Sequence, residues 1–507
     1  LSVSKGKLLA FVLVWLMLFG AGAVAWKFLF QPGVDAAKKQ EIEEGRRKGS
    51  SESRYDYRLN LSLDAFSGYA ILRSEEFANE LANKSVKINF VDDGADYTKR
   101  LADLKNGNSQ MAVFTIDALL KTCSQTGDLP ASIVAIIDES RGADAIVGYK
   151  SKYPNVNALS DPDLRFVLTP DSPSETLARV VMADYDLPDL GENPFIAKDG
   201  ARDVYDAIRT ASDKESKVYV MWEPFVTRAT QNSALGVIIS TKNVNRYILD
   251  VLVVQKEYLD QNEEVVKDIV EAYFTAAFKY QSEAKKLQLV LQDAKELGEP
   301  LKESRAKNLV SGIAWKNTQS NYAHFGIHPA KSVSHIEDTI ERISKVLMST
   351  SGMSSDPTGG RPNLLYYDAI LKELAAADFH PDGRGNLEED KLRALSDSEW
   401  NSLTEVGNMK TDRLAFRPGI TELNQRHRAI LDDLIDRLRS HRYYLSVYGV
   451  GNRRGDAEEN KKVASDRAQA AYEYLLEHGI DSARMHTAKP ALGSAPTVTF
   501  SLGQLPY

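Results

Sequence analysis

A chain of 507 residues is longer than one ordinary hydrophobic core supports, and roughly two to four domains are expected. With 43% hydrophobic and 26% charged residues it is not a disordered chain, and its net charge of −8 argues against nucleic acid or an anionic membrane surface as the main partner. The single cysteine, Cys123, excludes an internal disulfide framework.

The first element is an uninterrupted apolar run over 8–26, about the 20 residues a helix needs to cross a bilayer. Lys5 and Lys7 precede it with no acid nearby, which predicts that residues 1–7 stay in the cytoplasm and that the remainder is exported. Two readings of the run stand. Ala21-Gly22-Ala23 offers the small residues of a cleaved signal peptide, whereas its length and Trp26-Lys27-Phe28 at its end favour an uncleaved anchor over 1–32. Residues 33–54, dense in Lys, Glu and Arg, are expected to be a charged linker.

Alternation of Leu59, Leu61 and Leu63 predicts a first strand, followed by a helix over 69–83 and a second strand over 86–91. A helix through Leu101 and Leu104 leads to strands over 111–114 and 133–137. Further strands are expected over 165–168, 218–221, 237–239 and 251–254, then a long helix over 263–285. Strands alternating with helices predict an α/β fold of parallel units. Helices over 336–347 and 363–377 flank a Ser-, Gly- and Pro-rich loop.

From about residue 394 the pattern changes. A helix carrying Leu423, Ile430, Leu431, Leu434 and Leu438 precedes a strand over 443–448. Asp456-Ala457-Glu458-Glu459 is a capping-box-like start for a helix with Ala464, Ala468, Ala471 and Leu475 on one face, and Gly479 stands where a left-handed cap belongs. A strand over 497–502 closes this βαβ arrangement.

Two stretches deliver charged and hydrogen-bonding residues to strand ends, where open α/β sheets hold their ligands: one runs over 138–148, the other over 218–226. The candidate ligand-binding residues are Ser67, Gly68, Tyr69, Thr115, Ser172, Ser174, Trp222 and Glu223, with Asp117 at the same strand end as Thr115. Ser172 is expected to cap a helix starting at Pro173, with Glu175 as its capping-box partner. An aromatic wall with one carboxylate, Trp222 and Glu223, suits a ligand with an apolar body and a donor or cationic group. The alternative is a Trp222 in the core and a Glu223 paired with Arg228. Asp138, Ser140, Arg141 and Asp144 would line the cleft or brace a hinge; an ion-pair cluster at that crossover is the other reading.

Both stretches resemble the solute-binding proteins of the nitrate/sulfonate/taurine and thiamine-precursor importers, Trp222-Glu223-Pro224 being the sharper match. The resemblance implies a two-lobed periplasmic-binding-protein fold of type II over 55–385. Lobe one would hold about 55–140 and 250–330, lobe two about 144–248, with crossings near 140–142 and 249–250. It also implies a small-molecule ligand and, as a partner, an ABC permease. The C-terminal residues 395–507 resemble the OmpA-like peptidoglycan-binding domain: Gly449, Gly455, Asn460, Val463-Ala464 and Arg467-Ala468 fall on that family's pattern without a gap. Asn452 stands at the family's aspartate position, and Val463-Ala464 replaces leucine-serine. The family's aspartate and arginine grip the diamino acid of the wall peptide, so Asn452 and Arg467 are the implied peptidoglycan-binding residues, with weakened or altered binding expected.

The sequence shows no nucleophile-elbow serine, P-loop or paired-cysteine metal site, so no enzyme, no metal and no cofactor are expected. The reading is a solute-binding protein anchored in the bacterial inner membrane, with its bulk in the periplasm and its end on the cell wall. The alternative is a structural or sensory envelope protein that links membrane and peptidoglycan without a transported ligand.

Overall fold

The computed structural model describes residues 55–330, 333–383 and 392–505. The expected span and charged linker lie outside the described residues, among which no helix is long and apolar enough to cross a membrane.

Arg58–Tyr507 form one compact unit. The first lobe opens with β1 (Tyr57–Leu63), β2 (Val86–Asp92), β3 (Met111–Thr115), helix α1 (Ile116–Thr126) and β4 (Ala131–Ser140). After β4 the chain enters the second lobe, made of β5 (Asp144–Tyr149), β6 (Arg165–Leu168), helix α2 (Pro173–Asp184), β7 (Phe195–Ala197), β8 (Lys217–Trp222) and β9 (Leu235–Ser240). It returns through β10 (Leu249–Gln255), followed by helix α3 (Glu263–Lys279), β11 (Ile313–Trp315) and helix α4 (Ile336–Ser349).

The first sheet has the order β11-β4-β10-β3-β1-β2, and the second β7-β6-β8-β5-β9. β1 and β3 are parallel, whereas β10 is inserted antiparallel between β3 and β4, because it arrives from the opposite lobe. β5, the matching strand of lobe two, runs antiparallel to both its neighbours for the same reason. Every residue of β4 is buried, which fits its apolar run and central position. The chain thus builds two α/β lobes and crosses between them twice.

The helix expected over 69–83 breaks at Ser74. There the backbone turns extended and the hydroxyl accepts from Phe77 N at 3.2 Å, so two helices, Ala70–Arg73 and Glu75–Asn83, replace one. The edge strands β7 and β11 are absent from the sequence reading; three residues each are too few to show a period.

The C-terminal domain contains β12 (Thr404–Asn408), helix α5 (Gln425–Leu438), β13 (Tyr444–Asn452), helix α6 (Ala457–Glu477), β14 (Met485–Thr487), β15 (Ala491–Gly493) and β16 (Thr497–Gln504). Its sheet order is β12-β16-β13-β14, with β15 also pairing β13, so the expected βαβ core gains two short strands and an edge. The domain docks on lobe two by backbone bonds: Lys410 N donates to Asp184 O (2.8 Å), Asp186 N to Asn408 O (3.0 Å), Arg442 N to Asn243 O (2.7 Å) and Asn245 N to Ser440 O (2.9 Å). Beneath them the buried Asp184 carboxylate accepts from Tyr247 OH at 2.8 Å and lies 3.6 Å from His441 Nε2.

Candidate functional site

The strand ends of the two lobes face each other, and their polar side chains are almost wholly buried. From lobe one come Tyr69, Thr115, Asp117, Asp138 and Asp250; from lobe two come Asp144, Ser174 and Thr176. Asp250 lies opposite both Thr115 and Asp138 in the β-ladders, so the antiparallel insertion of β10 sets two carboxylates side by side. Tyr69 OH donates to Asp250 Oδ1 at 2.5 Å. Asp138 is fully buried, and among the described residues no N–H, amide or hydroxyl donates to its oxygens; its hydrogen-bonding neighbour is the Asp250 carboxyl.

Gly68 is what lets the first lobe close over that carboxylate. A Cβ there would lie 2.4 Å from Asp138 Oδ2, and Trp315 Nε1 holds the Gly68 carbonyl at 2.7 Å. Burial is the main cause that raises the Asp138 carboxyl from 3.8 to about 7, and burial followed by the Asp138 charge raises Asp250 well above the usual range. At neutral pH such a pair shares a proton or holds a cation between its members.

Across the cleft, Asp144 accepts from Ser140 Oγ (2.9 Å) and Ser174 Oγ (3.2 Å), and burial raises it to about 6. Asp117 accepts from Thr176 Oγ1, a direct bond between lobes; burial raises this carboxyl as well, with the hydroxyls of Thr176 and Thr115 opposing. The cations at the rim are already engaged. Lys121 pairs with Glu175 (3.0 Å) and Asp171 (2.6 Å), and Arg179 with Glu175 (2.6 Å). Burial opposes ionisation of Glu175, but Lys121 and Arg179 outweigh it and its carboxyl sits below the ordinary value.

The structure thus brings together Gly68, Tyr69, Thr115, Asp138, Ser140, Asp144 and Ser174. Trp222 is half-buried and pairs with Asp144 across the β5–β8 ladder. Ser67 opens the short 3-10 turn that carries Gly68 and Tyr69.

Three sequence expectations need correction. Ser172 does not cap its helix: its hydroxyl donates to Thr169 O at 2.7 Å, and Glu175 accepts instead from Asp171 N at 2.7 Å. Glu223 is not paired with Arg228; it accepts from Thr227 N (3.2 Å) and Thr227 Oγ1 (2.7 Å), while Arg228 lies over the Phe225 ring. Arg141 points away from the cleft, because Glu139 and Asp138 alternate on β4 and Arg141 pairs with Glu139 at 3.3 Å. Asp250 and Thr176 were missed. Asp250 had a usable signal, a carboxylate leading the otherwise apolar run Leu249-Asp250-Val251-Leu252-Val253-Val254.

In the C-terminal domain, Asn452 is exposed and accepts from Arg454 N at 2.9 Å. Asp456 caps α6 by accepting from Glu459 N at 2.8 Å. Arg467 is 5% exposed; it donates to Ile420 O and Arg417 O, each at 2.9 Å, and stacks on Phe416 at 4.7 Å.

Residues 415–498 match the OmpA family. No curated protein matches the sequence. Among solved structures, the chain is similar to the ligand-binding component of an ABC-type import system from Staphylococcus aureus, at 12% identity and a TM-score of 0.45, over 63% of this chain and 99% of that one. It is similar to the periplasmic nitrate-binding protein of Synechocystis at 13% identity and a TM-score of 0.46, over 63% and 88% of the two chains. The aliphatic sulphonate-binding protein of Escherichia coli aligns at 13% identity with a TM-score of 0.44, over 59% and 94%.

Proposed function

We propose that this chain is a periplasmic solute-binding protein that holds a small ligand bearing a cationic or donor-rich group between its lobes. The observation that carries the reading is Asp138: a fully buried carboxylate at the meeting of the strand ends whose oxygens, among the described residues, meet no N–H or hydroxyl and share at most the proton of Asp250. An acid in that position is costly to bury unless it is protonated or faces a donor, and an amine or amidine would supply the donor. Asp117, buried beside Thr115 and Thr176, adds acceptor capacity. The nearby cations Lys121 and Arg179 are spent on Glu175, so nothing in this group favours a bare oxyanion. Site residues inferred from the sequence, Ser67, Trp222 and Glu223 included, would form the rim. Titration calorimetry of the full chain against matched panels of organic cations (polyamines, betaines, amino-pyrimidines) and oxyanions (nitrate, alkanesulfonates) tests this. Saturable binding confined to the cationic panel is the expected result, and binding confined to the anions would sink it.

A second reading has its own observation. Helix α4 packs on α1 of lobe one and α2 of lobe two, and Arg179 donates to Thr350 O just beyond it. This strap, with the Asp117–Thr176 bond, opposes hinge opening and suits an envelope scaffold that releases no cargo to a permease. Silence across both panels would favour that reading.

The anchor over 1–32 would tether one end of the protein to the inner membrane, and the OmpA domain would hold the other on peptidoglycan. For the wall contact, Arg467 is engaged by two carbonyls, and Asn452 lacks the charge that would hold an ammonium group. Weak sedimentation of the chain with purified sacculi is therefore expected. Asn452→Asp should increase it by about tenfold, through one added charge-assisted bond. Equal sedimentation of wild type, Asn452→Asp and Arg467→Ala would place any wall contact elsewhere. Retention in carbonate-washed membranes checks the anchor.

A further inference from the structure

Asp184, in the last turn of α2, is 2% exposed and stands where three parts of the chain meet. Its carboxylate accepts from Tyr247 OH and faces His441 Nε2 of the C-terminal domain. Tyr247 belongs to the return crossing, residues 241–248 between β9 and β10. His441 packs edge-on against the Tyr185 ring at 5.5 Å, and its Nδ1 is bonded to Arg437 O at 2.9 Å. Burial raises the Asp184 carboxyl, and the charge of His441, the Tyr247 hydroxyl and the charges of Arg437 on α5 and Arg342 on α4 oppose that rise.

Two rigid paths lead from this carboxylate to the cleft. The first is α2 itself, 12 residues and so about 18 Å long. Its first turn carries Ser174, which donates to Asp144, Glu175, which pairs with Lys121 of lobe one, and Thr176, which donates to Asp117 of lobe one. The second path is the return crossing. Asn243 O and Asn245 N tie it to the C-terminal domain, and Val244 forms an antiparallel bridge with His441. Further on it is bonded to β4, by Arg246 N to Glu139 Oε1 (2.8 Å) and by Ser140 N to Ile248 O (3.0 Å). It then enters β10, which sets Asp250 beside Asp138.

The C-terminal domain bears on both paths at once. Gly407 of β12 lets it come close: a Cβ there would lie 3.0 Å from the Tyr185 ring and 3.0 Å from Val156 Cβ. Packed, rigid elements of this kind carry coupling between distant sites. We propose that Asp184 is a positioning residue through which docking of the OmpA-containing domain sets the cleft: it fixes α2, and with it Ser174 and Thr176, to the crossing that carries Asp250. A load on the wall domain is then felt at the strand ends of both lobes.

Hydrogen exchange of the full chain, followed by mass spectrometry, tests this without any ligand, so a negative result leaves the ligand reading standing. Asp184→Ala removes the carboxylate. Gly407→Leu wedges β12 away from Tyr185 and alters no residue of the cleft or the crossing. Each should speed exchange over 174–180, and over 115–121 where lobe one meets α2, by about tenfold, the worth of one charge-assisted bond. Exchange over α6 distinguishes undocking of the C-terminal domain from its unfolding, and in either case the domain has left α2. If Asp184→Ala does not fold, Gly407→Leu still decides. Faster exchange in Gly407→Leu confined to 181–186, 243–247 and the C-terminal domain, with 115–121 unchanged, would overturn the proposal. So would a folded Asp184→Ala that exchanges over 174–180 and 115–121 as the wild type does.

Discussion

Asp138→Asn is expected to make the unliganded protein more stable at mildly alkaline pH and, at the same time, to weaken binding in the cleft. The wild-type carboxyl has its value raised from 3.8 in the unfolded chain to about 7 in the folded one. The folded state therefore keeps a proton that the unfolded state has released, and stability must fall as pH rises from about 4 through about 7. One pKa unit is worth about 1.4 kcal/mol, so the loss across that window amounts to a few kcal/mol, shared between Asp138 and Asp250. The amide cannot ionise, and it supplies Asp250 with a donor in place of a competing charge. Urea unfolding at acidic and at alkaline pH should show the wild type weakening and the variant nearly level, with a gain of about 1–3 kcal/mol on the alkaline side. Ligand affinity should drop by at least about tenfold, because a buried charge-assisted bond is lost. A variant less stable than wild type at both pH values would mean that Asp138 is satisfied in the folded protein. A variant that is more stable yet binds normally would leave the electrostatics intact and remove Asp138 from the ligand site.

Gly449→Ala should be among the most damaging single-methyl changes in the C-terminal domain. A Cβ at this point of β13 would stand 1.9 Å from Ala464 O and 2.4 Å from Ala464 C, both backbone atoms of α6. Helix and strand cannot yield as a flexible side chain does, so the helix must lift off the sheet. Overpacking in a close-packed core costs about 1–3 kcal/mol and occasionally more, and this contact belongs at or beyond the upper end. Gly479→Ala is the matched control. Its φ of +90° strains any side chain, but nothing lies within 4 Å of the added methyl, so a cost of about 1 kcal/mol is expected. Thermal unfolding followed by near-ultraviolet circular dichroism should show a large fall in midpoint for Gly449→Ala and a small one for Gly479→Ala. Equal effects would mean that backbone conformation, rather than helix–strand contact, governs both glycines.

Local pattern alone determined a good deal of this protein. The alternating strand and helix runs between residues 57 and 255 specified an α/β fold, and Ala464, Ala468, Ala471 and Leu475 specified the packed face of the long C-terminal helix. These features are local because each depends on the period of one element or on the size of residues at fixed spacing. The capping role of Asp456 and the left-handed Gly479 were legible for the same reason. Ser172 shows the limit of that reasoning: the sequence around it fits a cap, yet Lys121 and Arg179 draw Glu175 into an ion-pair cluster that no local pattern contains.

What only the tertiary structure decided is which charges meet. Asp138 and Asp250 are far apart in the chain and become neighbours because β10 returns from lobe two to lie antiparallel beside β4. Arg141, next to Ser140 in sequence, faces the other side of the sheet, since consecutive residues of an extended chain point to opposite faces. Asp117 and Thr176 come from different lobes and lie 59 residues apart, so no window of sequence holds them together. Propensity and spacing act over a few residues, whereas electrostatic environment is set by whatever the folded chain places within several ångströms, and that depends on topology.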